Sequence, residues 1–573
     1  MVYQRETRGQ NFYTLDTNLQ ALLRRLAPDA ADRWHSSLTD FGAWVAREVD
    51  EAAEHTDRHA PPVLDNYTRD GQHVNRIRHN PLWDRVAREV YEKGAIGLNY
   101  GPDPAPFVVT FAMGYLLSEA DVALHCPVTM TGAVAYVLDR FAPAAVRETY
   151  LHQLTRRDGK ALSGGTWATE LHGGSDVGAT TTIAHREDDH HRLTGLKWFT
   201  SNANGGLAVA TARPEGAPEG SKGLGLYLVP THLADGSPNP MRIRRLKSKL
   251  GTVGIPTGEI DLTATWAKEV APPPIGFKLM MEALGFSRIH NAVGSAGLAR
   301  RAFLEAASYL SHRNAFGHPV LDYPMMRDEL LKMMTRLESS AALAFAAAAA
   351  FDAAHVTDLD AEDGKRAWLR MVTALAKYQS ADDANILARM AIELIGGNAY
   401  TYDYVTPRLL RDAQVLTVWE GPANIQALEV LRMIGNRAPG FTAFESRVQQ
   451  VLGGAPDGLG ALAAPLGRAA AQCREAVDYV RRAPDQAPVH ARKLMALLAD
   501  TLGGVLLFEE AAADWRRGDA RKALIARAYI EERLTARPDH RGIGPGSDWA
   551  HRHFEPLFQY VEIPIRPGIL GSG

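Results

Sequence analysis

The strongest constraint on the fold is a change of character near residue 161. Before it, apolar residues recur at helical spacing, as in 19–26 and 83–93. The stretch 65–71 is turn-rich and separates two helical parts. From 161 to 270 short β-prone runs take over, at 163–169, 180–184, 191–200, 207–212, 225–229 and 260–265. Glycine and proline clusters at 216–223 and 236–240 punctuate them, and Pro272, Pro273 and Pro274 close the segment. Short strands with turns between them predict a small barrel or sandwich. Long helical patterns then return at 277–313, 324–355, 364–395 and 424–434. Their lengths and short connections predict an antiparallel bundle. After Gly440 a tail reads as helical at 462–482, 489–517 and 520–534. The expected class is α+β, mainly α. A helical domain spans 1–160, a β domain 161–273, a helical bundle 274–437 and a helical extension 438–573.

A chain of 573 residues is too long for one core. Its 46% hydrophobic and 23% charged residues are ordinary for a globular protein. A net charge of −3 gives no general attraction to nucleic acid or anionic membrane. The two cysteines, Cys126 and Cys473, predict no disulfide framework and a reducing compartment. Residues 1–10 are polar and carry no apolar signal core. No eighteen-residue apolar run exists, since Asp352 interrupts the alanine-rich stretch 341–354. These features predict a cytoplasmic, enzyme-sized protein without membrane insertion. The pairs His190/His191 and His551/His553 lack further ligands at sensible spacing, so no metal site is expected.

One acid stands out. Glu420 follows the apolar run 415–419, which reads as strand-like, and precedes Gly421 and an amphipathic helix. Burial against Val418 and Trp419 would disfavour the carboxylate and raise its pKa. A carboxylate tuned in that way can take a proton from carbon near neutral pH. The position equally suits an acid at a helix N-terminus, and local sequence leaves both readings open.

Five short motifs fall in one order along the chain. They are Thr169-Glu170-Leu171-His172-Gly173-Gly174-Ser175-Asp176, Trp198-Phe199-Thr200, Arg313-Asn314-Ala315-Phe316-Gly317, Ile395-Gly396-Gly397-Asn398-Ala399-Tyr400, and the stretch around Glu420. With the helix, β, helix order they resemble the acyl-CoA dehydrogenase flavoproteins. Further segments are similar to the AidB-like, adaptive-response branch: Pro61-Pro62-Val63-Leu64-Asp65-Asn66-Tyr67, His79-Asn80-Pro81-Leu82-Trp83, Cys126-Pro127-Val128-Thr129-Met130-Thr131 and Arg245-Leu246-Lys247-Ser248-Lys249-Leu250-Gly251. A helical extension after the bundle is a trait of that branch.

The resemblance implies the acyl-CoA dehydrogenase-like fold and non-covalent FAD in a homo-oligomer, as a tetramer. It implies α,β-dehydrogenation of an acyl thioester, with hydride transfer to flavin N5. Glu420 matches the α-proton base, with Gly421 beside it on the substrate side and Arg288 near the acyl-CoA ribose-phosphate. Some members carry their base at the position of Ser287, which serine cannot replace. Thr169, Ser175, Trp198 and Thr200 match flavin contacts, the small residues Gly173 and Gly174 allowing close backbone approach. Arg313, Phe316, Gly396 and Gly397 match FAD contacts reached from a neighbouring subunit, Arg313 through charge-assisted hydrogen bonds to the pyrophosphate. Glu393 stands where many members have glutamine and is not assigned to the cofactor. Gly285 replaces an acid that usually contacts the CoA adenine side. The expected substrate is therefore a bulky or carrier-bound thioester, and the electron acceptor is not named by the sequence.

Two rival readings follow from the same resemblance. One is a DNA-binding flavoprotein protecting against alkylation damage. The other is a flavin oxidase or mono-oxygenase on the same fold. The segment after Gly440 holds 17 Lys and Arg against 16 Asp and Glu, so it lacks the basic footprint of a DNA-binding domain. The local clusters Arg481-Arg482, Arg516-Arg517 and Arg521-Lys522 read as solvated helix surface.

Overall fold

The computed structural model describes residues 7–354, 364–435, 439–535, 549–566 and 568–570. The chain divides into two compact units. Among the described residues one comprises 40–290 and the other the remainder, 7–39 and 291 onward. The expected boundary at 437/438 and the expected helix end at His355 lie outside the described residues.

Within the first unit, a seven-stranded sheet closes on itself. Its strands are β3 (Gly164–Trp167), β4 (Ile183–Glu187), β5 (His190–Ser201), β6 (Leu207–Pro214), β7 (Gly225–Pro230), β8 (Met241–Leu246) and β9 (Thr257–Ala271). The order β3-β6-β4-β5-β9-β7 returns through a β6–β7 pairing, and β8 pairs β9. β3 and β4 run parallel to β6; the remaining pairs are antiparallel. Small and branched residues fill the interior, among them Ala208, Ala210, Ala212, Val229, Ile243 and Ile260. Closure leaves few free strand edges.

The turn-rich reading of 65–71 is corrected. Val63–Tyr67 (β1) and His73–Arg78 (β2) form an antiparallel hairpin, with the turn confined to Thr68–Gly71. The hairpin docks on β8 through polar side chains. Asn75 donates to the Met241 carbonyl (2.7 Å) and accepts from the Ile243 amide (2.9 Å). Asn within a strand reads locally as a turn residue, but here Asn66 and Asn75 supply bonds that the β8 backbone requires. The strand of 180–184 begins only at Ile183.

The branch-type segments brace this unit. Asn80 caps the helix Pro81–Glu92 by accepting from the Trp83 amide (3.0 Å). Gly254 gives the Trp83 ring its place, since a methyl at 254 would lie 2.3 Å from it. Thr131, on the buried helix Val122–Phe141, donates to the Pro127 carbonyl (2.6 Å) and accepts from the Gly164 amide (2.8 Å). That second bond fixes the start of β3, four residues before the Thr169 loop begins to form. The helices Val122–Phe141 and Pro324–Ala354 are long and apolar enough to cross a membrane, yet 89% and 72% of those windows are buried inside the protein.

The second unit is helical. Helices Pro324–Ala354 and Gly364–Ile395 pack along each other, Ser340 donating to Asp383 (2.9 Å). The extension helices Ala487–Trp515 and Arg521–Arg533 lie against them, and Gly460–Arg482 packs on those two. A buried ion cluster joins the two parts: Glu338 accepts from Arg521 (2.6 Å) and Lys522 (2.5 Å), and Lys522 also meets Glu510 (2.6 Å). Burial opposes ionisation of Glu338, but these two cations outweigh it and hold the carboxyl at about 2.

Candidate active site

The Thr169–Asp176 and Trp198–Thr200 motifs meet on the barrel. The Trp198 amide donates to the Thr169 carbonyl (2.9 Å). Just behind them, Lys197 and Glu170 form an ion pair (2.9 Å) with side chains 0% and 1% exposed. Glu170 also accepts from the amides and hydroxyls of Thr181 and Thr182, at 2.6–3.1 Å. Burial pushes its carboxyl up, but Lys197 and the threonine donors prevail and hold it at about 2. The pair locks the root of the loop to the strand that carries Trp198.

β5 shifts register against β9 between Lys197 and Thr200. Strict alternation would turn Thr200 to the same side as Trp198. The bulge instead buries both Lys197 and Thr200, leaving Trp198 half-buried and Phe199 exposed between them. The Thr200 hydroxyl donates to the Gly258 carbonyl (2.8 Å), so toward any further group it offers lone pairs. Ser175 is exposed, and so is His172, whose ring lies 3.2 Å from the Asp176 carbonyl.

The strand-like reading of 415–419 is overturned. The helix Thr406–Leu416 occupies most of the run-up, and a turn follows through Glu420. Leu409, Ala413 and Leu416 form its buried face at helical spacing, which overrides the β-branched and aromatic content of Val415, Val418 and Trp419. The expected burial of Glu420 against Val418 also fails, because Val418 is 57% exposed. Trp419 and Glu420 are half-buried. What distinguishes Glu420 is its backbone, in the left-handed region at φ 60°, followed by Gly421 at φ 95°. Buried side chains hold this turn by its carbonyls. Gln426 donates to the oxygens of Glu420 and Gly421 (both 3.1 Å). Lys377, on the helix Gly364–Ile395, donates to those of Thr417 (3.3 Å) and Gly421 (3.0 Å). Neither residue was singled out from sequence. Lys377 lies forty residues away and carries no local signal; Gln426 reads as an ordinary helix residue.

Arg313, Phe316, Gly396 and Gly397 form a second group. Arg313 is exposed and donates to the Ile395 carbonyl (3.2 Å), which ties its turn to the glycine pair. Phe316 is 95% exposed and Tyr400 82%. Arg288 is half-buried on the helix Ile275–His312. Ser287 is fully buried and donates to the Ala283 carbonyl (3.1 Å), within its own helix. Glu393 is exposed and pairs with Arg389.

A polar relay crosses the core of the first unit. Ser118 Oγ lies 2.7 Å from His125 Nδ1, and His125 Nε2 lies 2.9 Å from His290 Nδ1. Phe111 and Phe286 pack against the His290 ring. Burial pushes His125 down to about 3, and burial together with His125 lowers His290 well below its ordinary value. An imidazole whose pKa falls on folding contributes stability above its unfolded value near 6.5, which is lost as pH falls through the window below. Each histidine then costs about 1.4 kcal/mol per pH unit. Denaturant midpoints are expected to fall steeply from pH 6.5 to 5, and H125F to flatten that slope. An unchanged slope in H125F would refute the assignment.

Among the described residues no group of three or more His, Cys, Asp or Glu side chains is placed to hold a metal, and neither Cys126 nor Cys473 forms a disulfide. The reading of Arg521-Lys522 as solvated surface is corrected: both are buried in the Glu338 cluster. Arg516 and Arg517 are exposed, but Arg516 donates to the Gly454 carbonyl and Arg517 pairs with Asp514.

Comparison with known proteins decides the family. The chain is 33% identical over 463 residues to acyl-CoA dehydrogenase family member 11 of Caenorhabditis elegans, covering 77% of this chain and 74% of that protein. The chain belongs to the acyl-CoA dehydrogenase family. Three family models match in order: the AidB N-terminal domain at 4–158, the acyl-CoA dehydrogenase middle domain at 165–265 and the C-terminal domain at 275–435. The putative acyl-CoA dehydrogenase AidB of Escherichia coli is 31% identical, covering 69% of this chain and 73% of its own. The structure of C. elegans ACDH-11 in complex with C11-CoA superposes with a TM-score of 0.86 at 29% identity, covering 93% of each chain. The resemblance to the AidB-like branch and the expected fold are thereby borne out.

This acyl-CoA dehydrogenase is an oxidoreductase of a flavin-dependent family acting on CH–CH donors. Its barrel residues fit a flavin. Gly173 sits at φ 118°, and a methyl there would meet nothing within 4 Å, so the loop backbone is open to close approach. A methyl at Gly174 would lie 2.6 Å from the Thr169 hydroxyl oxygen. Glycine there keeps that hydroxyl available beside the half-buried indole.

Proposed function

We propose that this protein binds FAD non-covalently and catalyses α,β-dehydrogenation of a fatty acyl-CoA thioester. The observation that carries the reading is the Glu420 turn, a carboxylate on a left-handed residue whose flanking carbonyls are held from below by Lys377 and Gln426. An amide of this turn would donate to the thioester oxygen, where charge gathers as the α proton leaves. Glu420 takes that proton. A bound flavin would supply the hydride acceptor for the β hydrogen. Thr169, Ser175, Trp198 and Thr200 would hold the ring and its tail. Arg288 and Gly421 would orient the CoA ester.

The C11-CoA complex of the C. elegans relative supports a CoA ester of medium length in preference to the carrier-bound thioester expected from Gly285. The same reading makes the protein a cytoplasmic homotetramer reoxidised by an external acceptor. Exposed Phe316 and Tyr400 beside Arg313 and the Gly396-Gly397 turn support a surface that covers a neighbouring subunit's cofactor. Burial of Arg521 and Lys522 removes support from the DNA-binding reading.

The test is anaerobic titration of the flavin-loaded protein with straight-chain acyl-CoA esters of four to sixteen carbons. Stoichiometric bleaching of the oxidised flavin band, strongest near eleven carbons, is expected. No bleaching by any ester would remove the proposal.

A further inference from the structure

One face of the Trp198 indole carries a cation. Lys247 Nζ lies 3.4 Å from the Trp198 ring centroid and 4.8 Å from that of Phe199. Both distances are inside the ~6 Å reach of a cation–π contact. Nothing about a lysine at a strand end requires this, since such side chains ordinarily extend their heads into water. Here the ammonium is turned back by Glu259, whose Oε1 it meets at 2.5 Å. Glu259 is itself buried and also takes Arg245 at 2.8 Å. The Lys247 amide donates to the Thr257 carbonyl (2.8 Å), which fixes the main chain beneath. The lysine side chain is only 13% exposed. A carboxylate, an ammonium and an indole are thus stacked in sequence on the motif that faces the flavin in the proposed function.

The geometry points to Lys247 as a positioning residue for the flavin, acting through Trp198. This rests on the reading that Trp198 flanks FAD. The ammonium pins the indole in one orientation, so its remaining face is ordered before the cofactor arrives. It also draws electron density from the ring it covers. Positive charge beside the flavin favours its electron-rich reduced form over the oxidised one, so it eases reduction.

The experiment uses the full chain stripped of flavin and reconstituted. FAD affinity is measured by calorimetric titration of the apoprotein, and the two-electron potential of the bound flavin by dye equilibration. K247M is expected to weaken FAD binding about tenfold. It should also shift the reduction equilibrium about tenfold toward the oxidised form, about 30 mV lower for a two-electron couple. K247Q, uncharged and polar, should behave as K247M. K247R should restore both values, because a guanidinium stacks on an indole as well as an ammonium does. Wild-type affinity and potential in K247M and K247Q would overturn the inference. W198A separates the two levels. If W198A loses FAD affinity while K247M does not, only the role of Lys247 falls; if W198A binds FAD like the wild type, Trp198 does not flank the cofactor and the underlying reading falls with it.

Discussion

Replacing Glu420 by glutamine lowers the rate of flavin reduction by acyl-CoA about 10³-fold while FAD stays bound. The size follows from losing a positioned general base. Glutamine matches the acid in shape but cannot take up the α proton. The turn is expected to survive the change, because Lys377 and Gln426 hold it through main-chain carbonyls that glutamine leaves in place. Ser287, at the other position where family resemblance places a base, is a buried hydroxyl spent on its own helix, so no substitute is at hand. Stopped-flow reduction under anaerobic conditions, with flavin content read from the spectrum, measures both halves. Reduction at the wild-type rate would mean that another group takes the proton. Loss of flavin would mean that Glu420 acts on the cofactor instead.

Replacing Lys197 by methionine destabilises the protein by about 3–5 kcal/mol. The ion pair with Glu170 is wholly buried, and the remaining carboxylate would keep its threonine donors but lose the ammonium that balances its charge. Removing both charges costs far less, because two neutral side chains of similar volume carry no stranded ion. K197M/E170Q is therefore expected to recover most of the loss in urea denaturation. Equal midpoints for K197M and the wild type would show that the pair is electrostatically idle. The effect reaches the site, since Glu170 follows Thr169 and Lys197 precedes Trp198.

The elements were legible wherever one periodicity ran long enough. The span 364–395 emerges as the helix Gly364–Ile395, and the β island as a closed barrel. Reading failed where two local signals competed. Residues 415–419 carry strand-forming side chains, but the preceding helix extends to Leu416, with Ala413 buried and its carbonyl bound by Asn385 (2.8 Å). At 63–78 Asn66 and Asn75, residue types that mimic a turn, instead bond the edge of β8, while Asp65 pairs with Arg78 inside the hairpin. The basic pair Arg521-Lys522 looked like surface because its carboxylate partners, Glu338 and Glu510, are far off or unmarked in sequence.

Sequence alone determined the family resemblance and the candidate residues proposed to carry the chemistry: the acid at 420, the indole at 198, the glycine pairs and the order of helix, strand and helix around them. Such information is local, because side-chain type and spacing are written in consecutive positions. Tertiary structure alone decided how those groups are held. The carbonyl clamp of Lys377, the bulge that leaves Trp198 half-buried, the Lys247 cation on its face and the Glu170–Lys197 pair join residues 27 or more positions apart. Their hydrogen bonds and charges are settled by burial, and burial exists only once the chain has folded.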